Sequence, residues 1–167
     1  MSNHSQHPAP ADFSVASHAA PPLPVFKRKP NARLPAYQTE QAAGLDLTAC
    51  LEEEETIVLQ PLERRLLGTG LSVAIPQGFE GQVRPRSGWA LKEGVTLLNS
   101  PGTIDSDYRG EVAVLLVNLS TKPVQIRHGD RIAQMIVAPV VKVAPCWVEQ
   151  LDDTKRGAGG FGHTGRG

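Results

Sequence analysis

The sequence predicts an all-β domain, a sandwich, jelly roll or barrel, on three observations. Apolar residues fall in short runs, and glycine or proline stands between them. With 14 prolines and 16 glycines in 167 residues, any helix is broken after a few turns. Val112-Ala-Val-Leu-Leu-Val117 is rich in β-branched residues, and Gln82-Val-Arg-Pro85 alternates polar with apolar as a half-buried strand does.

Taken in order, the chain opens with residues 1–24, which hold no Lys or Arg, three histidines and five prolines. They lack the apolar centre of a signal peptide and read as a disordered leader. Lys27-Arg28-Lys29 carries the first basic charge into a strand. The apolar runs that follow are Thr56–Leu59, Arg65–Ile75, Gly81–Pro85, Thr96–Leu98, Glu111–Asn118, Val124–Ile126 and Arg131–Val141. Glu52 to Glu55 is a run of acids suited to a solvated edge or turn, because nothing spaces the carboxylates around one point. The best helical stretch is short, Ser87 to Lys92, directly after Pro85. No internal repeat stands out.

Composition excludes several function classes. The 17 basic and 17 acidic residues balance, so no overall field draws the protein to nucleic acid or an anionic membrane; an anion must be gripped locally. No stretch approaches the ~20 apolar residues of a transmembrane helix. Cys50 and Cys146, the only cysteines, have no metal-ligand spacing, suit a reducing cytoplasm and read as buried thiols.

Five stretches do not look like packing alone. Ala43-Gly-Leu-Asp-Leu47 sets Asp46 in an apolar frame, where a charge must be paired or face a site. In Pro85-Arg-Ser-Gly-Trp-Ala-Leu-Lys92, Ser87 can cap a new helix whose free N–H groups, beside Arg86, suit a phosphate; a capped turn with an exposed arginine is the plainer reading. Trp89 there reads as core. Asn99-Ser-Pro-Gly-Thr-Ile-Asp-Ser-Asp-Tyr-Arg-Gly110 lies between Val95–Leu98 and Val112–Val117, as the tip of a long hairpin. Symmetric pairing about residue 106 sets Asn99 opposite Ala113. The segment groups an amide able to read a planar ring (Asn99), a carboxylate (Asp105) and an aromatic (Tyr108). Gly129-Asp-Arg-Ile-Ala-Gln-Met-Ile136 buries the amide of Gln134 in an apolar run, where it must find partners, structural or functional. The last stretch, Arg156-Gly-Ala-Gly-Gly-Phe-Gly-His-Thr-Gly165, cannot bury enough surface to order itself; six of the 12 residues from Arg156 to Gly167 are glycine. It is either a solvated tail or a strip that orders over a ligand.

In order and wording, these five stretches resemble the five motifs of the trimeric all-β deoxyuridine triphosphate nucleotidohydrolases, the dUTPases. The likeness runs from about Arg33 to Gly165, with Trp89 where leucine is usual and His163 where serine is frequent. The resemblance implies a jelly roll, a homotrimer with active sites between subunits, and cleavage of dUTP to dUMP and pyrophosphate by water attack at the α-phosphorus. That reaction keeps uracil out of DNA and supplies dUMP for thymidylate synthesis. By resemblance Asp105 activates the water, and Tyr108 lies under the deoxyribose and excludes a 2′-hydroxyl. Asn99 reads uracil, with Thr103, Ile104 and Ala113 completing the hairpin contacts. Arg86, Ser87, Gly88 and Gln134 match phosphate-binding positions, and Asp46 matches the acid that holds Mg²⁺ through water while the ion sits on the triphosphate. Arg156, Phe161, Gly162, His163 and Thr164 would close over the nucleotide.

The implied organisation is a leader over 1–24, a β domain over 25–153 and a glycine-rich arm over 154–167, in a cytoplasmic enzyme. The nearest rival on the same fold, a deoxycytidine triphosphate deaminase, would carry a catalytic glutamate near the hairpin.

Overall fold

A computed structural model describes residues 21–160, a β structure with one short helix among the described residues. Eleven strands form four antiparallel sheets. β1 (Val25–Lys27) pairs with β5 (Leu71–Val73), and β3 (Thr56–Leu59) with β10 (Val124–Arg127). A three-stranded sheet orders β4 (Arg64–Gly68), β9 (Ala113–Asn118) and β7 (Val95–Leu97). A four-stranded sheet runs β2 (Leu45–Thr48), β11 (Arg131–Pro139), β6 (Phe79–Arg84), β8 (Gly102–Ile104). Neighbours in the sheets are mostly distant in sequence, the crossed connectivity of a jelly-roll-like fold.

The side-chain alternation read from the sequence sets the packing. Ile57 and Leu59 point inward from β3, directly opposite Ile126 and Val124 of β10, while Thr56 and Val58 face out. These pairs join Leu47, Val83, Leu97, Val114, Leu116, Ile132 and Met135 in one core. Burying each such side chain is worth roughly 1.5–3 kcal/mol. Asn118, fully buried at the end of β9, is completely partnered. Its Nδ2 donates to the carbonyls of Leu59 and Lys122 at 3.0 and 2.8 Å, and its Oδ1 accepts from the amide and hydroxyl of Ser120 at 2.9 and 2.8 Å.

The helix α1 (Ser87–Glu93) follows Pro85 as expected, but its cap differs. Arg86 is the extended residue before the helix and no side chain caps it, so Ser87 is already the first helical residue. The break made by Pro85 falls one residue too early for Ser87 to cap. Trp89 is half-buried, packed on the edge of the core and not inside it. Gly94 ends the helix at φ 67°, left-handed, where a Cβ would also strike Ser120.

The expected hairpin is not a simple ladder. β7 pairs with β9 one residue off the symmetric register, Leu97 opposite Leu116, and the ladder ends there; Ala113 faces Gly68 of β4, not Asn99. Beyond it the chain peels away, and β8 joins β6 in the other sheet, Thr103 opposite Gln82. The segment thus bridges two sheets and opens a cavity between them. Glu52 to Glu55 forms an exposed turn. Cys50 is buried and its Sγ–H donates to Asn31 Oδ1 at 3.1 Å; burial pushes the thiol pKa up. Cys146, expected to be buried, is exposed, because after Pro139 the chain leaves the sheets. From Val140 to Leu151 it is exposed throughout, Val141, Val143, Trp147 and Leu151 included. No helix among the described residues is long and apolar enough to cross a membrane.

Candidate active site

The sequence-selected residues gather in two cavities that share no lining residue. The first, about 420 Å³, takes Asn99, Thr103, Ile104, Asp105, Tyr108 and Ala113. It exists because β8 and β9 belong to different sheets. Asn99 follows the end of β7, Asp105 the end of β8, and Ala113 starts β9, so three strand ends meet around one space. Asn99, Asp105 and Tyr108 are all exposed to it, free to meet a ligand. Asn99 and Ala113, unpaired in the ladder, still share the cavity.

Asp105 opens a turn in which Tyr108 N–H donates to the Asp105 carbonyl at 3.1 Å. The Tyr108 hydroxyl donates to the Glu111 carbonyl at 3.0 Å, drawing the ring back over the turn. Glu111 also lines the cavity, but its carboxylate is committed to the fold: Oε1 accepts from Gly70 N–H at 2.8 Å. That engagement disfavours Glu111 as the catalytic glutamate of a deaminase.

The second cavity, about 360 Å³, takes Asp46, Arg86, Ser87, Gly88 and Gln134. It lies toward the β2 edge of the four-stranded sheet, and the first cavity lies at the β8 edge. Cross-strand register makes the cluster: Gln134 of β11 is opposite Asp46 on one side and Arg84 on the other, two residues before Arg86. An irregularity in β11 between Arg131 and Ala133 turns Arg131 toward the same space. Asp46 Oδ2 accepts from Arg131 Nη1 at 3.0 Å, and Asp46 Oδ1 is 3.6 Å from Arg86 Nε. Arg86 Nη1 in turn donates to the Arg131 carbonyl at 3.2 Å. Two guanidiniums against one carboxylate leave net positive charge, which suits an anion. Gln134 Nε2 donates to the Pro85 carbonyl at 3.1 Å, so its amide both serves the fold and borders the cavity.

Arg131 is the residue that sequence reading passed over. It stands inside the quoted Gly129–Ile136 stretch, but nothing local in the sequence links it to Asp46, 85 residues away. Arg156 lines neither cavity; its Nε donates to the Gly159 carbonyl at 2.8 Å on an exposed strip. Phe161, Gly162, His163 and Thr164 lie outside the described residues, as do residues 1–20 of the leader.

Among the described residues no three His, Cys, Asp or Glu side chains converge to hold a metal ion. Asp46 alone, with both oxygens turned to arginines, fits an ion that arrives on a phosphate ligand rather than a resident one.

Comparison with known proteins identifies the family. The dUTPase family model matches residues 30–165. A deoxyuridine 5′-triphosphate nucleotidohydrolase of Wolbachia sp. subsp. Brugia malayi is 59% identical over 135 residues, 80% of this chain and 85% of that one. The dUTPase of Staphylococcus bacteriophage 80alpha, solved with dUpNHpp, is 26% identical with a TM-score of 0.78, covering 87% of this chain and 99% of that one. A mutant dUTPase from phage phi11 of S. aureus, described by the coordination of a structural Mg(II) ion, is 25% identical with a TM-score of 0.71, covering 80% of this chain and all of that one. Strand pattern, clustered motifs and these matches together place the chain in the dUTPase family, the enzymes that hydrolyse deoxyuridine 5′-triphosphate.

Proposed function

We propose that this dUTPase works through an active site assembled from several copies of the chain, each giving its two cavities to different sites. The observation that carries this is the division itself: the base- and sugar-type residues occupy one cavity and the phosphate-type residues another, at opposite edges of one sheet. The apolar strip Val141–Leu151, with no cover from the described residues of its own chain, supports association of copies, and a trimer is the assembly the resemblance implies.

In this reading Asn99 holds the uracil edge, and Thr103, Ile104 and Ala113 shape its slot. The Tyr108 ring supports the deoxyribose where a 2′-hydroxyl would collide. Asp105 aligns a water and takes its proton as the water oxygen bonds to the α-phosphorus. The bond from that phosphorus to the bridging oxygen breaks, and pyrophosphate leaves with that oxygen and the bond's electron pair, giving dUMP. Arg86, Ser87, Gly88 and Gln134 of a neighbouring copy bind the phosphates, with Arg131 holding Asp46 in place. Asp46 would hold Mg²⁺ through water, and the ion would supply charge neutralisation for the leaving group. The arm over 154–167 closes the site: Phe161 stacks on uracil, Arg156 pairs with the γ-phosphate, and Gly162, His163 and Thr164 add contacts. Residues 25–153 form the catalytic domain.

The direct test is pyrophosphate release with dUTP, dTTP, dCTP and UTP in Mg²⁺. Release confined to dUTP supports the site as described. Ammonia from dCTP would instead favour the deaminase chemistry.

A further inference from the structure

We infer that Ser72, in β5, and Arg28, directly after β1, both outside the five motifs, are positioning residues that set how strictly the enzyme tells dUTP from UTP. The inference rests on the reading that Tyr108 supports the sugar. Tyr108 is itself 42% exposed, so packing alone does not fix its ring. The turn that carries it, Asp105 to Glu111, pairs with no strand, yet six of its seven carbonyls accept hydrogen bonds. Four of them are held from within the turn: Tyr108 N–H donates to the Asp105 carbonyl, and Arg109 Nη1 to the Ser106 and Tyr108 carbonyls at 2.8 and 2.7 Å. The fourth is the Glu111 carbonyl, which accepts from the Tyr108 hydroxyl.

The other two carbonyls are held from outside the turn. Ser72, in β5 and 5% exposed, places its hydroxyl 2.7 Å from the Gly110 carbonyl and 3.0 Å from that of Arg109. One hydroxyl donates one proton, and the shorter contact takes it. Arg28 completes the pair: its Nε donates to the Ser72 oxygen and its Nη2 to the Arg109 carbonyl at 2.9 Å. Both side chains therefore grip the two residues after Tyr108. Gly110 tightens the grip, because a Cβ there would fall on the Tyr108 ring. The ring thus rests against backbone whose position is fixed by the β1–β5 ribbon. Neither Ser72 nor Arg28 lines either cavity, so neither touches substrate. They act through the ring: loosening the Arg109–Gly110 backbone lets it retreat, and the space it leaves admits a 2′-hydroxyl.

The test compares kcat/KM for dUTP and UTP in the full chain with Mg²⁺, for Ser72→Ala, Arg28→Ala, Tyr108→Ala and the double variant Ser72→Ala/Tyr108→Ala. Expected is a fall of about tenfold in the dUTP:UTP ratio for Ser72→Ala and a smaller one for Arg28→Ala, larger in proportion than any fall in kcat on dUTP. Ser72→Thr, which keeps the hydroxyl, restores most of the ratio. In the double variant the Ser72 change adds nothing further to the effect of Tyr108→Ala, since both work through one ring. An unchanged ratio in folded Ser72→Ala and Arg28→Ala, with Tyr108→Ala narrowing it, overturns the positioning role alone. An unchanged ratio in Tyr108→Ala overturns the sugar reading and this inference with it. Should buried Ser72→Ala not fold, the exposed Arg28→Ala decides the question by the same ratio.

Discussion

Asp105, the proposed base, is a carboxylate left exposed at a strand end, in one cavity with the Asn99 amide and the Tyr108 ring. Its replacement by Asn keeps shape and hydrogen-bonding reach but cannot take a proton. Asp105→Asn is therefore expected to lower kcat on dUTP by roughly 10²–10⁴-fold while calorimetry finds dUTP bound within a few-fold of wild type. A variant that keeps more than about a tenth of kcat would remove Asp105 from the role of base, given the usual size of that contribution. Asp46 is a different kind of acid. Reading the sequence left it between an ion pair and a site; it is paired with Arg131 and Arg86, and it lines the second cavity. No spacing rule links Asp46 to Arg131, 85 residues apart, so only cross-strand register could show the pair.

Among the elements, the β strands were legible because period two and turn residues are local signals. Thr56–Leu59 was read to the residue, and β6, β9 and β10 to within two. The 99–112 segment was not, because which sheet a strand joins depends on partners that lie far away. β8 is bonded to β6, not to the strand that returns from the tip. Asn118 carried no signal in the sequence, yet it ties the end of β9 to β3 and to the loop before β10. Asn118→Ala removes the donor to the buried Leu59 carbonyl and to that of Lys122, and should cost roughly 2–4 kcal/mol in denaturant melts. Turnover per folded molecule should hold, since Asn118 lines neither cavity. If the melt is unmoved, this network is not what anchors β9. The arm is tested by ending the chain after Asp153. We expect an unchanged melt and oligomer size but a loss of most turnover at saturating dUTP. Full turnover would make 154–167 a solvated end, and a fallen melt would make it structural.

At the scale of the whole molecule the two cavities make a sharper prediction. Asp105→Asn and Arg86→Ala damage different halves of the site, so each should be inactive by itself. When the two variants are co-refolded, random assortment around a closed ring should leave about a quarter of the sites with both halves intact, and activity should return to about that level. No recovery in mixed oligomers of confirmed composition would mean that one chain supplies both halves. The same experiment asks whether the exposed Val141–Leu151 strip is covered by a neighbouring copy, because a variant with Trp147→Asp should lose both the oligomer and the recovered activity.

By itself the sequence determined the fold class, the short helix after Pro85 and, through motifs whose chemistry is local, 11 of the residues that line the two cavities. Side-chain alternation, chain-breaking residues and motif wording are all properties of neighbouring positions. Tertiary structure alone decided that these residues divide between two edges of one sheet. It also decided that Arg131 serves Asp46, and that Ser72 and Arg28 hold the turn behind Tyr108. Each of those contacts joins positions at least 37 residues apart. Such contacts exist only once hydrophobic burial has chosen which strands lie side by side.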